Sequence, residues 1–251
     1  MKFFPGSKIA LSLYAVLGSL ILFAFSCKKD KEAPVITPET GTMTDVEGNV
    51  YKTVKIGNQW WMAENLKVKK FSNGNLITHL SSSQNWIADL PGYCAWSDES
   101  NTTTNFPGLL YNWAVLVDSN NIAPEGWHIP TDAEWKALEK ELGMSVAESD
   151  LSGWRGNDEG EKLKIESPAD WIQYGDVWST NASGFTARAG GCRLFDGSWA
   201  DPGLSHTGFW WTASEYNSSD AWYRYLDYKN SNIFRSASSK HYGFSIRCVK
   251  N

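Results

Sequence analysis

The sequence predicts an α+β domain of short strands in mixed sheets, with one clear helix and long irregular loops. Three observations predict it. Fourteen tryptophans, ten tyrosines and eleven phenylalanines supply a large core, because each buried ring removes a large apolar area from water. A single stretch combines helical spacing with both a start and a stop signal. Short alternating runs elsewhere are divided by glycine, asparagine and serine.

In chain order, TMTDVEGNVYKTVKIGNQWWMAENL (42–66) alternates β-branched and aromatic residues with polar ones around Gly48 and Gly57. That is a hairpin pattern in which Val50, Thr53, Val54 and Ile56 are strand residues. GLLYNWAVLV (108–117) has Leu109, Trp113 and Leu116 near helical spacing, yet is short enough for a buried strand, and both readings stand. The helix is expected over about 132–142: Thr131 and Glu134 form a capping box behind Pro130, Trp135, Leu138 and Leu142 make one face, and Gly143 is the left-handed stop. From residue 144 onward, loops and small strands are expected rather than helices. AWYRYLDY, SNIFRSAS and YGFSIRCV then read as a terminal antiparallel meander. In its first strand Trp222, Arg224, Leu226 and Tyr228 share one face, and Tyr223, Tyr225 and Asp227 the other. No repeat of 20–50 residues is present to suggest a propeller or solenoid.

Lys2 and Lys8 precede the apolar run IALSLYAVLGSLILFAFS (9–26), the arrangement of an export signal. Roughly 18 apolar residues also suffice for a membrane span, which is the competing reading. The ending decides between them, because AFSC resembles the lipobox of bacterial lipoproteins, in which the cysteine receives diacylglyceride before the signal is cleaved. The resemblance implies a signal peptide over 1–26, a lipidated Cys27, and a tether over 27–41 that is charged and proline-bearing. The folded domain is then 42–251. Lys28, where an inner-membrane lipoprotein of enteric bacteria carries aspartate, implies an outer-membrane address, with the periplasmic and cell-surface faces both open. The formal net charge of −5, without a block of like charges, excludes a nucleic-acid footprint.

Cys94, Cys192 and Cys248 remain for an oxidising compartment, an odd number that admits one disulfide in any of three pairings. Their spacing does not fit a zinc site, and the four histidines are scattered.

IGNQWWMAENL (56–66), LLYNWAV (109–115), PEGWHIPTDAEW (124–135), GFWWTASEYNSSDAWYRYLDY (208–228) and GFSIRCVK (243–250) together resemble the Fibrobacter succinogenes major paralogous domain, in order and spacing, over 42–251. That family occurs in lipoproteins of Bacteroidetes and Fibrobacteres, and the resemblance implies no reaction. More distantly, HIPTDAEW followed by GFSIRCV is similar to the main helix start and closing strand of formylglycine-generating, sulfatase-modifying enzymes, which implies a C-type lectin-like fold. Those enzymes use two neighbouring cysteines near the C-terminal end, a pattern absent here. Ala123 stands where many family members carry cysteine, so the resemblance implies a Cys192–Cys248 bridge as a substitute pairing.

The doublets Trp60–Trp61 and Trp210–Trp211 raise a sugar-binding cleft, since pyranose rings stack on indoles. Alternation places at least one of each pair in the core. The candidate ligand surface is therefore Trp61, Trp211, Tyr223, Tyr225 and Asp227. No cofactor is called for. Calcium is the one a lectin-like fold invites, through NDEGE (157–161) or DGSWAD (196–201), although both fit solvated turns better. Nucleophile-elbow, zincin and P-loop motifs are absent. His128 before the helix fits a packed histidine, and Glu64 and Glu215 could serve a glycosidase only if brought together. The expected protein is an outer-membrane lipoprotein, anchored through its N-terminal lipid, acting as a non-catalytic binding or adhesion module for a glycan or protein. An enzyme related to the formylglycine-generating oxidases and a structural envelope protein are the alternatives.

Overall fold

A computed structural model describes Met1 and residues 38–87, 90–95, 107–200 and 205–251. The expected signal peptide, Cys27 and most of the tether lie outside the described residues. The described elements are, in chain order, β1 (Thr40–Thr44), β2 (Val50–Ile56), β3 (Gln59–Met62), β4 (Thr78–His79), α1 (Ser83–Ile87), β5 (Gly92–Cys94), β6 (Leu110–Tyr111), α2 (Trp113–Leu116), β7 (Trp127–His128), α3 (Asp132–Glu141), α4 (Val146–Ser149), β8 (Gly153–Arg155), α5 (Glu159–Leu163), β9 (Thr207–Glu215), β10 (Asp220–Asp227), β11 (Ile233–Ser239) and β12 (Val249–Lys250). They build an α+β fold of three sheets, ordered β1-β2-β3-β12-β7, β8-β11-β10-β9 and β4-β5-β6. Among the described residues no helix is long and apolar enough to cross a membrane.

Local chemistry explains the first sheet. Asp45 accepts hydrogen bonds from the amides of Glu47 and Asn49, shaping the β1–β2 turn. Gly57, at φ 58°, opens the two-residue β2–β3 turn, where turns that match strand twist need positive φ. The stretch 108–117 resolves into both readings in succession, a strand (β6) and then a helical turn (α2).

Helix α3 has the expected capping box, with Thr131 accepting from the Glu134 amide, and Gly143 follows at φ 118°. Trp135 and Leu138 are buried in a core cluster against which Leu142 packs. The expectation of no helix after residue 144 is corrected by α4 and α5. Each is only one turn or so, too short for hydrophobic periodicity to register. Ser145 and Glu148 nevertheless form a second capping box.

The terminal meander is also corrected. β10 pairs with β11 as expected, but its other neighbour is β9, and the closing run leaves the sheet. Ser245 bridges Trp210 in parallel, after which β12 inserts between β3 and β7. The reason lies in its side chains. Residues 243–249 are all buried, so the run needs cover on every side and an exposed sheet edge would leave half of it in water.

The four-stranded sheet is covered on its two faces by different cores. Leu226, Ile233 and Trp210 join Trp61, Trp135 and Leu138 beneath α3. Trp211, Ala221 and Phe244 join Met62, Tyr111 and Trp113 on the other side. Ions reinforce the helix side. Arg155 from β8, Arg224 from β10 and Arg235 from β11 converge on Glu139 and Asp132 of α3, all five side chains at 10% exposure or less.

Within this network burial pushes the Asp132 carboxyl up, but hydrogen bonds and charge from Arg235 and Arg224 outweigh that and hold it well below the usual carboxylate range. Its contribution to stability is therefore complete above the unfolded value of about 3.9 and is lost as pH falls from there toward the folded value. Urea melts between pH 5 and pH 2 should show wild-type stability falling with acid. Asp132→Asn should begin lower at pH 5 and fall less steeply, and parallel curves would refute this origin.

Candidate functional site

Strand register assembles an aromatic strip on the face of the four-stranded sheet turned away from α3. Trp154 of β8 stands opposite Phe234 of β11, Phe234 opposite Tyr225 of β10, and Tyr225 opposite Phe209 of β9. Each strand thus contributes one ring at the same level. The ring centroids are 5.2 Å apart for Trp154–Phe234, 5.8 Å for Tyr225–Phe234 and 4.6 Å for Phe209–Tyr225. One rung along, Tyr223 lies 5.1 Å from Phe244, which connects through Tyr242 to Phe195.

Exposure is graded along the strip. Phe244 is buried, Phe209, Tyr223, Tyr225, Phe234 and Tyr242 are half-buried, and Trp154 and Phe195 reach 37% and 56% exposure. Because β8 is an edge strand among the described residues, none of the described strands flanks Trp154 on the side away from Phe234.

Polar groups border the strip. Asp227 accepts from the Lys229 amide, from Asn230 Nδ2 and from the Tyr225 hydroxyl, and this fixes the carboxylate at the end of β10. Burial, with smaller contributions from Cys192 and Tyr242, pushes the Tyr223 phenol up to about 12. Burial and then Asp227 push Tyr225 higher still. Both phenols stay protonated at neutral pH and can donate hydrogen bonds.

Tyr223, Tyr225 and Asp227 accordingly lie on one face, as alternation requires. Two other residues of the expected ligand surface do not reach solvent. Trp61 is wholly buried, edge-on to Trp135 at 5.1 Å and to Phe185 at 5.8 Å. Trp211 is wholly buried too, donating Nε1–H to the Tyr111 carbonyl at 2.9 Å and packing on Phe244. Alternation misled because it presumes a solvent side, and β3 and β9 each have a core on both faces. The missed members are Trp154, Phe209, Phe234, Phe195 and Tyr242. Phe234 was visible as the alternating aromatic of SNIFRSAS, whereas the others depend on register between distant strands.

The Cys192–Cys248 bridge is not formed, which corrects that expectation. Cys248 sits within electrostatic reach of Tyr51 and Tyr111, and Cys192 of Tyr223 and Tyr242, so the two occupy different parts of one core. Burial raises the Cys248 thiol far above its ordinary value, the opposite of an activated cysteine.

His128 places Nδ1 2.6 Å from Asn251 Oδ1 and Nε2 2.6 Å from Glu134 Oε1, so it ties the chain end to the start of α3. Both ring nitrogens thus engage side chains. Glu64 caps the Lys52 amide and Glu215 pairs with Lys240, each engaged locally. In the two candidate calcium loops, Asp158 pairs with Lys162, Glu159 accepts from the Asn157 amide, and Asp196 accepts from Ser198. Among the described residues no group of three His, Cys, Asp or Glu side chains could hold a metal ion.

The family model of the Fibrobacter succinogenes major domain matches residues 54–250. The chain belongs to that family. No curated protein and no solved structure matches it significantly. The matched span of the Fibrobacter succinogenes major domain begins within β2 and ends within β12, so it contains every strand of the aromatic face.

Proposed function

We propose that this Fibrobacter succinogenes major domain is a non-catalytic glycan-binding module with a C-type lectin-like fold, carried on a lipid anchor at Cys27 in the outer membrane. The observation that carries the reading is the four-strand ladder Trp154–Phe234–Tyr225–Phe209, with Asp227 fixed beside it. Sheet-borne rings form a rigid surface that pays little ordering entropy on binding. Rings offer apolar faces to the C–H surfaces of sugars, while a fixed carboxylate and two phenols offer hydrogen bonds to hydroxyls. Aromatic residues of this kind dominate binding hot spots. The lectin-like fold is supported by the mixed short-strand sheets around a single long helix, and the anchor by the lipobox-like AFSC.

A glycan and polysaccharide array probed with the full chain, with calcium and again with chelator, tests this. Trp154→Ala and Phe195→Ala should each weaken a saturable neutral-glycan signal at least about tenfold, equivalent to about 1.4 kcal/mol. Both lie at the exposed ends of the strip; Phe195→Ala should shift the urea midpoint little and Trp154→Ala, which also loses packing on Phe234 and Tyr225, somewhat more, with both variants folded in the absence of urea. Absence of any glycan signal from folded protein, or signals indifferent to both substitutions, would refute the reading.

A further inference from the structure

A second site is suggested on the first sheet, away from the aromatic strip. A cavity of about 620 Å³ lies between the β1–β2 hairpin and a tight turn over 181–186, lined by Thr40, Gly41, Thr42, Lys52, Thr53, Ala63, Asn181, Gly184 and Thr186. Its size is that of small-molecule sites, roughly 300–1,000 Å³. None of its lining residues belongs to the strip.

The turn that forms one wall is strained and held. Asn181 and Thr186 adopt φ of 48° and 61°, and Gly184 between them 70°. Positive φ is a true outlier for a β-branched residue such as Thr186, and such outliers persist only where surrounding structure enforces them, often at ligand clamps. Enforcement is visible here. Asn181 Oδ1 accepts from the Thr186 amide at 2.8 Å, and Thr186 Oγ1 donates to the Gly184 carbonyl at 3.0 Å. The Phe185 and Thr186 carbonyls accept from the buried guanidinium of Arg247. Gly184 is seated so closely that a Cβ there would lie 2.9 Å from Val54 Cγ2.

The opposite wall is a pair in strand register, Thr42 directly facing Lys52. Among the described residues the lining has four threonines and one asparagine, and no aromatic or acidic side chain. Among the described lining residues the one charged side chain is Lys52. Glu64, which caps the Lys52 amide, is outside the lining. Behind the wall Arg247 gives its hydrogen bonds to carbonyls and an amide oxygen, and Glu64 offsets its charge in part.

We infer that this groove binds an acidic saccharide, with its hydroxyls against Thr40, Thr42, Asn181 and Thr186 and its carboxylate on Lys52. Hydroxyl-rich walls select a polyol over an apolar ligand, and the single cation selects a carboxylate-bearing one. The site stands apart from the neutral-glycan reading of the aromatic strip, and either can fail alone.

Titration calorimetry of the full chain with a galacturonate oligomer, N-acetylneuraminate and a neutral galactose oligomer tests the inference. At least one acidic sugar should bind saturably and the neutral oligomer at least tenfold more weakly. Lys52→Ala and Thr42→Val, both on the exposed hairpin, should each weaken the acidic sugar at least fivefold, while Trp154→Ala leaves it unchanged. Equal binding of the neutral oligomer, binding indifferent to Lys52 and Thr42, loss of binding in Trp154→Ala, or no binding of either acid would overturn it.

Discussion

Replacing Glu139 with alanine should lower the unfolding free energy by about 3–5 kcal/mol, the cost of stripping one partner from a buried ion pair. Glu139 receives both terminal nitrogens of Arg155, at 2.7 and 2.8 Å, and Nε of Arg224 at 2.5 Å. Alanine leaves Asp132 as the nearest carboxylate for Arg224 and Arg235, and leaves Arg155 with a hydrogen bond to Met144 Sδ. Water cannot compensate, since Arg155 and Glu139 are wholly buried. Against a typical total of about 5–15 kcal/mol, the loss is about a fifth or more of the domain's stability.

The loss should be specific to breaking the pair. Removing both signs together, with Glu139→Leu and Arg155→Met, deletes the Arg155 desolvation cost along with its attraction, leaves only Arg224 Nε without Glu139, and should recover part of what Glu139→Ala forfeits. Urea melts of the single and double variants decide it. If the single change costs under about 1 kcal/mol, the network behaves like a solvated surface pair and the account fails.

The same network shows why parts of the fold were legible and others were not. Helix α3 could be read because its signals are local: Thr131 and Glu134 are three residues apart, and Gly143 follows the last turn. The common face of Tyr223, Tyr225 and Asp227 was equally legible, because a period of two survives any tertiary arrangement. What gathers around them was not. Arg155, Arg224 and Arg235 read as ordinary polar positions until register aligns three strands beneath α3, and Trp154 joins Phe209 only through the two strands between them. Burial of Trp61 and Trp211 followed the same logic. Local alternation identifies two faces of a strand but not what covers them.

The closing strand carries the second large effect. Arg247→Met should cost roughly 3 kcal/mol, since a methionine of similar length fills the space but offers no donor to the acceptors left behind, each worth about 1–3 kcal/mol when buried and unpaired. Those acceptors are Asn65 Oδ1 at 2.7 Å, the Met62 carbonyl at 3.0 Å, the Thr186 carbonyl at 2.8 Å and the Phe185 carbonyl. Burial lowers the guanidinium pKa to about 9, offset in part by Glu64, so it remains charged at neutral pH. Losing that buried charge returns some desolvation energy, which is why the expected cost is below that of four orphaned acceptors taken singly. Asn65 also accepts from Trp210 Nε1 and donates to Ser245, so the defect should spread to the junction of the two larger sheets. Arg247→Lys should restore little, because a single ammonium cannot reproduce the planar fork that reaches these separate acceptors. Chemical denaturation measures the cost, and amide exchange across 185–187 locates it. Faster exchange there than in β10, in both variants, is the expected signature of a turn that Arg247 holds in its strained form. Uniform exchange would mean that Arg247 supports the core generally and that the 181–186 turn is held by its own hydrogen bonds.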